Sequence, residues 1–166
     1  MPATAPSKPA ERTPRSAESL SPPDAVDLLR ADHREAEELF EKYNAATRDT
    51  TRRSIADEVC RALTVHSLLE EEIFYPACRA GGVEAELLDE ADTEHATAKA
   101  LIAQIECGTP AERNWDAKVK VLCAQIEHHV QEEEGEEGIF DQARSAGLDL
   151  DALGAEMAAR RAELMR

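Results

Sequence analysis

Aromatic residues make up only 4% of this 166-residue chain, and β-branched residues are sparse beside abundant Ala, Leu, Glu and Arg. That shortage disfavours a sheet-rich core and points to helix throughout. Basic charge is also short, with 19 Lys and Arg against 35 Asp and Glu and a formal net charge of −16. Such a surface repels phosphate, so neither nucleic acid nor an anionic membrane is an expected partner. No apolar run approaches the length of a membrane span. The N-terminal MPATAPSKPAERTPRSAESLSPP has no apolar core of the kind a secretory signal needs, so a cytoplasmic location is expected. Cysteine is scarce too. Cys60, Cys78, Cys107 and Cys123 form no CxxC pair and lie at least 16 residues apart, which argues against a zinc–thiolate site. All four are expected to be reduced and mostly buried.

Residues 1–20 are rich in Pro, Ala, Ser and Thr, with no large apolar residue before Leu20. They cannot bury enough surface to offset their ordering entropy, so a disordered arm is expected. A first helix is predicted from SPPD, with Ser21 as N-cap and Asp24 as a capping-box acid, running to about Ala46. A second starts at Asp49 or Thr50, is kinked or ended by Pro76, and closes at Gly81-Gly82. The third covers about Val83 to Glu106. The fourth runs from about Ala111 through HHVQEEE, where Gly135 and Gly138 weaken its end. A fifth, short helix spans about Asp149 to Met165. The fold class is all-α: an up-down-up-down four-helix bundle over 21–147, with a C-terminal helix over 148–166 packed on or beside it.

The histidines carry the chemical signal through their helical phase. Apolar stripes at 3–4 spacing read Val26, Leu29, His33, Ala36, Phe40, Tyr43 in the first helix. They continue as Ile55, Val59, Ala62, His66, Leu69 or Glu70, Ile73 in the second, and Leu88, Ala91, His95, Ala98, Ile102, Ile105 in the third. The fourth gives Trp115, Val119, Leu122, Ile126, His129, Glu133. Each helix thus turns one histidine inward, and only His128 is out of phase. A single inward histidine is ordinarily a hydrogen-bonded core residue. Four in one small core need shared partners, and a metal satisfies all of them at once. His66 and His129 each have a glutamate four residues later, Glu70 and Glu133, on the same helix face. Buried carboxylates would otherwise be costly. Imidazole nitrogen with carboxylate oxygen and no thiolate suits iron, manganese or zinc, and two carboxylates able to bridge suit two ions better than one. Of the remaining acids of these runs, Glu132, Glu134, Glu136 and Glu137 are expected to face water, Glu71 and Glu72 to face outward or cap neighbouring turns, and His128 to lie at the surface or to support the ligands from outside.

The stretches LLRADHREAEELF, HSLLEEEIFYP, EHATAKAL and HHVQEEEGEEGIF, taken in that order, resemble the hemerythrin family in its bacterial HHE cation-binding branch, over about residues 22–145. The resemblance implies a non-haem di-iron centre within the bundle. Its ligands would be His33, His66, Glu70, His95, His129 and Glu133, with the two glutamates bridging. The chain departs from oxygen-carrying hemerythrins in having Lys99 one turn after the third-helix ligand, where they carry a second histidine. Fewer protein donors leave positions open on the metals, which favours reaction with peroxide, oxygen or nitric oxide over plain reversible oxygen carriage. Glu37 is a candidate extra ligand, and Tyr43 a candidate hydrogen-bond donor to a bound oxygen species.

The function expected is therefore a di-iron protein of oxidative stress that binds or reacts with a small diatomic or peroxide ligand, with peroxide decomposition as its candidate activity and no organic substrate. The alternative is a non-catalytic iron or oxidant sensor using the same centre, with the arm and fifth helix as readouts. A plain acidic interaction protein with core histidines is the third reading. No protein partner is identified by the sequence.

Overall fold

The computed structural model describes residues 23–166, and the expected arm over 1–20 lies outside them, as does Ser21. The elements are α1 (Ala25–Ala45), α2 (Asp49–Leu69), a π-helical turn (Glu70–Phe74), α3 (Tyr75–Gly81), α4 (Ala85–Cys107), α5 (Trp115–Glu134), α6 (Ile139–Ser145) and α7 (Leu150–Leu164). No strand occurs among the described residues, and no helix there is long and apolar enough to cross a membrane. α1 packs on α2, α2 on α4, α4 on α5, and α5 closes the ring against α1. The short connections make successive long helices antiparallel, as expected for this bundle.

Three boundaries differ from the sequence expectation. α1 begins at Ala25 with Asp24 as its N-cap, the Asp24 carboxylate accepting from the Asp27 N–H at 2.9 Å. Asp24 itself is extended, at φ −67° and ψ 171°, as an N-cap residue is. α5 starts at Trp115 rather than near Ala111. Thr109–Asn114 form two turns, closed by Glu112 N–H to Thr109 O and Trp115 N–H to Glu112 O. Arg53 ties that loop to α2 through Gly108 O at 2.6 Å and Glu106 O at 3.1 Å. The third difference is α6, a short helix beyond Gly138 that the sequence reading did not anticipate. Its Phe140 lies stacked against the His33 ring.

Pro76 does not end the second helix. Instead the helix widens just before it, and the Tyr75 N–H reaches back five residues to Glu70 O. A proline ring collides with the carbonyl four residues earlier, and a π turn relieves that collision while re-aiming the side chains around it. The turn begins at Glu70. The chain then ends α3 at Gly82, whose φ of 85° is the left-handed cap that favours glycine.

The apolar interior is split in two. One cluster gathers Val26, Leu29, Leu69, Phe74, Leu88, Phe140 and Met157. The other gathers Phe40, Tyr43, Val59, Leu63, Ile102, Trp115 and Leu122. Between them lies a polar layer of His33, His66, Glu70, His95, His129 and Glu133, all buried. α7 seals the first cluster with Met157 and approaches α1 at Gly154, where a Cβ would meet Pro23 O at 2.7 Å and the backbone of Asp24 and Ala25 at 2.9 Å. In an ordinary helix Gly→Ala gains about 1 kcal/mol. Here the neighbouring atoms are backbone and cannot yield. Gly154→Ala should therefore lower stability by about 1–2 kcal/mol in urea denaturation, and a stabilised variant would refute this close docking of α7.

Candidate metal centre

Each of the six residues picked out by phase reaches the polar layer. His33 Nε2 lies 3.2 Å from His66 Nε2, and His95 Nε2 lies 3.3 Å from His129 Nε2. The two carboxylates connect these pairs. Glu70 Oε2 is 3.1 Å from His66 Nε2 and 3.2 Å from His95 Nε2. Glu133 Oε2 is 3.3 Å from His33 Nε2 and 3.4 Å from His129 Nε2. Two overlapping donor groups result: His33, His66, Glu70 and Glu133, and Glu70, His95 and His129.

The outer nitrogens explain why all four Nε2 atoms face inward. His33 Nδ1 meets Glu134 Oε1 at 2.6 Å, His66 Nδ1 meets Asp32 Oδ2 at 3.2 Å, His95 Nδ1 meets Glu71 Oε1 at 3.0 Å, and His129 Nδ1 meets Glu94 Oε2 at 2.7 Å. A carboxylate only accepts, so each Nδ1 donates its proton outward and each ring is locked with Nε2 aimed at the centre. The expectation that Glu71 faces outward and Glu134 faces water is thereby corrected. Helical phase treats a face as in or out, but both residues sit on the flank of the inward face, where a long side chain reaches the neighbouring helix. Asp32 and Glu94 were not anticipated either. Their signal was in the sequence as an acid directly before His33 and His95, matched by an acid directly after Glu70 and Glu133.

Tyr75 is a further residue missed by the phase argument. Its hydroxyl donates to Glu133 Oε1 at 2.7 Å, and its ring stacks on His95. Tyr43, expected at the centre, is instead committed to Asp116 at 2.9 Å. Ten residues beyond His33, it lies about 15 Å along the helix axis, beside Trp115. Glu37 is exposed and lies in neither donor group. Ala36, one residue earlier, takes the buried position there. His128 is exposed as expected, although it approaches Glu94 Oε1 at 3.5 Å and Glu132 at 3.2 Å. Of the four cysteines, all free, Cys60 and Cys78 are buried, Cys123 is half-buried and Cys107 is exposed, so "mostly buried" holds for only two. Burial pushes the Cys60 and Cys78 thiols up to about 12, which leaves no buried thiolate to compete for a metal.

The donor set fits a metal on an observation independent of spacing. Both Glu70 oxygens and Glu133 Oε2 are buried without a hydrogen-bond partner. Orphaned carboxylate oxygens facing four imidazole nitrogens call for a cation. Without one, His66 and His129 are the rings driven toward the protonated form. Burial opposes a charged His66, but Glu70, Asp32 and Glu133 outweigh it and lift the ring to about 10. His129 is likewise lifted to about 9 against its burial, by Glu133 and Glu94. Burial would raise Glu70, yet His66 and His95 hold it well below the usual carboxylate range.

Beside the layer lies a small cavity of about 20 Å³, walled by the four imidazoles, Lys99 and the apolar side chains of Ala36, Leu63, Ala98, Ile102 and Ile126. It has room for a water or a two-atom molecule and none for an organic substrate.

The model of the hemerythrin HHE cation-binding domain matches residues 24–138. A DNA nickase from Nostoc sp. is 27% identical over 108 residues, which are 65% of this chain and 30% of that protein. A crystal structure of a hemerythrin HHE cation-binding domain-containing protein from Mycobacterium kansasii superposes with a TM-score of 0.66 at 20% identity, covering 85% of this chain and 86% of the other. That likeness supports the bundle fold.

The raised histidines set a pH signature. In the metal-free protein their contacts with the carboxylates stabilise the fold fully below the unfolded-state value of 6.5, and that contribution is lost as pH rises through about 9 to 10. A metal must displace those Nε2 protons. Metal uptake at pH 7.5 should therefore release protons, seen by calorimetry in buffers of different ionisation enthalpy, and affinity should rise with pH. Proton-neutral uptake would contradict this electrostatic picture.

Proposed function

The chain belongs to the hemerythrin HHE cation-binding domain family, and from that premise we propose that it is a non-haem di-iron protein that binds or reacts with small oxidants. The observation that carries this reading is the pair of carboxylates, Glu70 and Glu133, each facing one imidazole of either pair with oxygens left unsatisfied. His33 and His66 would hold one ion, His95 and His129 the other, and the glutamates would bridge them. Four imidazoles and two carboxylates supply fewer donors than two six-coordinate irons accept. Bound iron would supply redox change and open coordination positions for oxygen, peroxide or nitric oxide.

The chain's own residues shape what can reach such a centre. The cavity excludes organic substrates by size. Its mostly apolar wall favours small neutral molecules over hydrated anions. Lys99 is among the residues lining that wall, and its ammonium is held by both Glu71 oxygens at 2.7 and 2.6 Å. In the position where oxygen carriers present a second histidine, this chain has a lysine that holds Glu71, the partner of His95 Nδ1. Tyr75 fixes Glu133 in place through its hydroxyl.

The nickase shares with this chain a region that is 30% of its own length, and a formal charge of −16 opposes binding to a phosphate backbone. The shared domain is what carries over, not nicking. A non-catalytic sensor of iron or oxidant is the second reading, favoured by the contact of α7 with Asp32 beside His66.

Anaerobic loading with ferrous iron, followed by metal analysis and an absorption spectrum before and after peroxide, tests the proposal. About two irons per chain and a new ligand-to-iron band are expected, in line with the two donor groups. His129→Ala should lose iron and His128→Ala should keep it. A reconstituted protein holding no iron, or a spectrum indifferent to oxidants, would defeat the reading.

A further inference from the structure

The four outer carboxylates each have a basic partner. Arg30 on α1 lies 3.4 Å from Glu134, Lys99 on α4 pairs with Glu71, and His128 on α5 approaches Glu94. These three partners come from the bundle itself. The fourth does not. Asp32, the acceptor of His66 Nδ1, is gripped by Arg161 of the C-terminal helix, with Nη1 donating to Oδ1 at 2.8 Å and Nη2 to Oδ2 at 2.5 Å. Oδ2 is the same oxygen that faces His66.

We propose that Arg161 is a positioning residue of the metal centre, so that α7 is part of the site and its docking is coupled to metal occupancy at the His33/His66 pair. This rests on the metal-binding reading above. The Asp32 carboxylate is nearly buried, and its rotamer decides where the His66 ring points. A guanidinium fixes a carboxylate at two oxygens at once, which an ammonium or water does not. Outer partners of this kind commonly set metal affinity by about 10- to 100-fold. Coupling is reciprocal, so whatever α7 contributes to metal binding, bound metal returns to α7 docking.

The geometry separates this role from simple attachment. α7 is also held by the buried Met157, by the close approach at Gly154, and by Arg160, which donates to Glu72 at 2.7 and 3.1 Å. Arg160 is the neighbouring arginine on the same helix, but Glu72 is exposed and contacts no histidine of the layer. Arg160→Met removes an α7 contact without touching the relay, which makes it the control.

The test is anaerobic titration of the full chain with ferrous iron against a competing chelator, with hydrogen exchange of α7 followed in parallel. In the wild-type chain two irons should bind and iron should increase protection of α7. Arg161→Met should weaken one of the two binding steps by about 10- to 100-fold and abolish the iron-dependent protection. Arg160→Met should leave both binding steps as they are. Asp32→Asn should reproduce the Arg161→Met defect, and the double variant should be no worse than either single one, because both act through one contact. If the wild type binds two irons and Arg161→Met shifts them no more than Arg160→Met does, the coupling is refuted while the metal reading stands. If the wild type binds no iron, the metal reading falls and takes this inference with it.

Discussion

Two carboxylates buried at the centre of a small helical bundle are the constraint that the rest of this protein answers to. Glu70 and Glu133 are fully removed from solvent, and an uncompensated buried carboxylate costs several kcal/mol. The features around them either face them with polar groups or keep water out. Four imidazoles face inward, Tyr75 donates to one, and the two apolar clusters above and below keep water away. The same arrangement explains why the layer is not simply an apolar core. Replacing buried charged groups by apolar packing is often neutral or stabilising, so stability alone is a weak reason for such a layer.

The site is built twice. An acid–histidine pair on one helix faces a histidine on the next, followed four residues later by a glutamate and then another acid. Asp32-His33 with His66, Glu70 and Glu71 is the first copy, and Glu94-His95 with His129, Glu133 and Glu134 is the second. Within each copy the leading acid holds the histidine of its own half, as Asp32 holds His66 and Glu94 holds His129. The trailing acid crosses over, as Glu71 holds His95 and Glu134 holds His33. Each half is thus oriented partly by the other. The halves differ where the chain does: the π turn that accommodates Pro76 follows Glu70, whereas the helix carrying Glu133 stops at Gly135.

That duplication shows why the centre was legible in the sequence and its surroundings were not. Inward phase is a one-dimensional property, so the inward turn of His33, His66, His95, His129 and Glu133 could be read from spacing, whereas Glu70 shared its stripe position with Leu69 and was singled out by lying four residues after His66. The four long helices were legible from the same stripes. What lies around the centre depends on which helices are neighbours and on side-chain reach, and neither is encoded in the period of one helix. Glu71 and Glu134 were accordingly read as outward-facing. Tyr43 shows the converse error, because correct phase says nothing about height along the bundle. α6 escaped notice because seven residues between glycines carry too little periodicity to declare a helix, although Phe140 within it covers the His33 ring.

The C-terminal helix bears on the choice between the two functional readings. A centre that only carries out chemistry needs its ligands oriented by a rigid surround, and three of the four outer carboxylates obtain this from the bundle. The fourth obtains it from α7, which the bundle does not need in order to close its ring of helices. On the coupling proposed above, orientation through an element outside that ring would make the centre sensitive to whatever holds or displaces it, and the element sensitive to what the centre holds. The proposed reactivity and the proposed sensing would then both depend on one contact, Arg161 on Asp32, and would not require different sites.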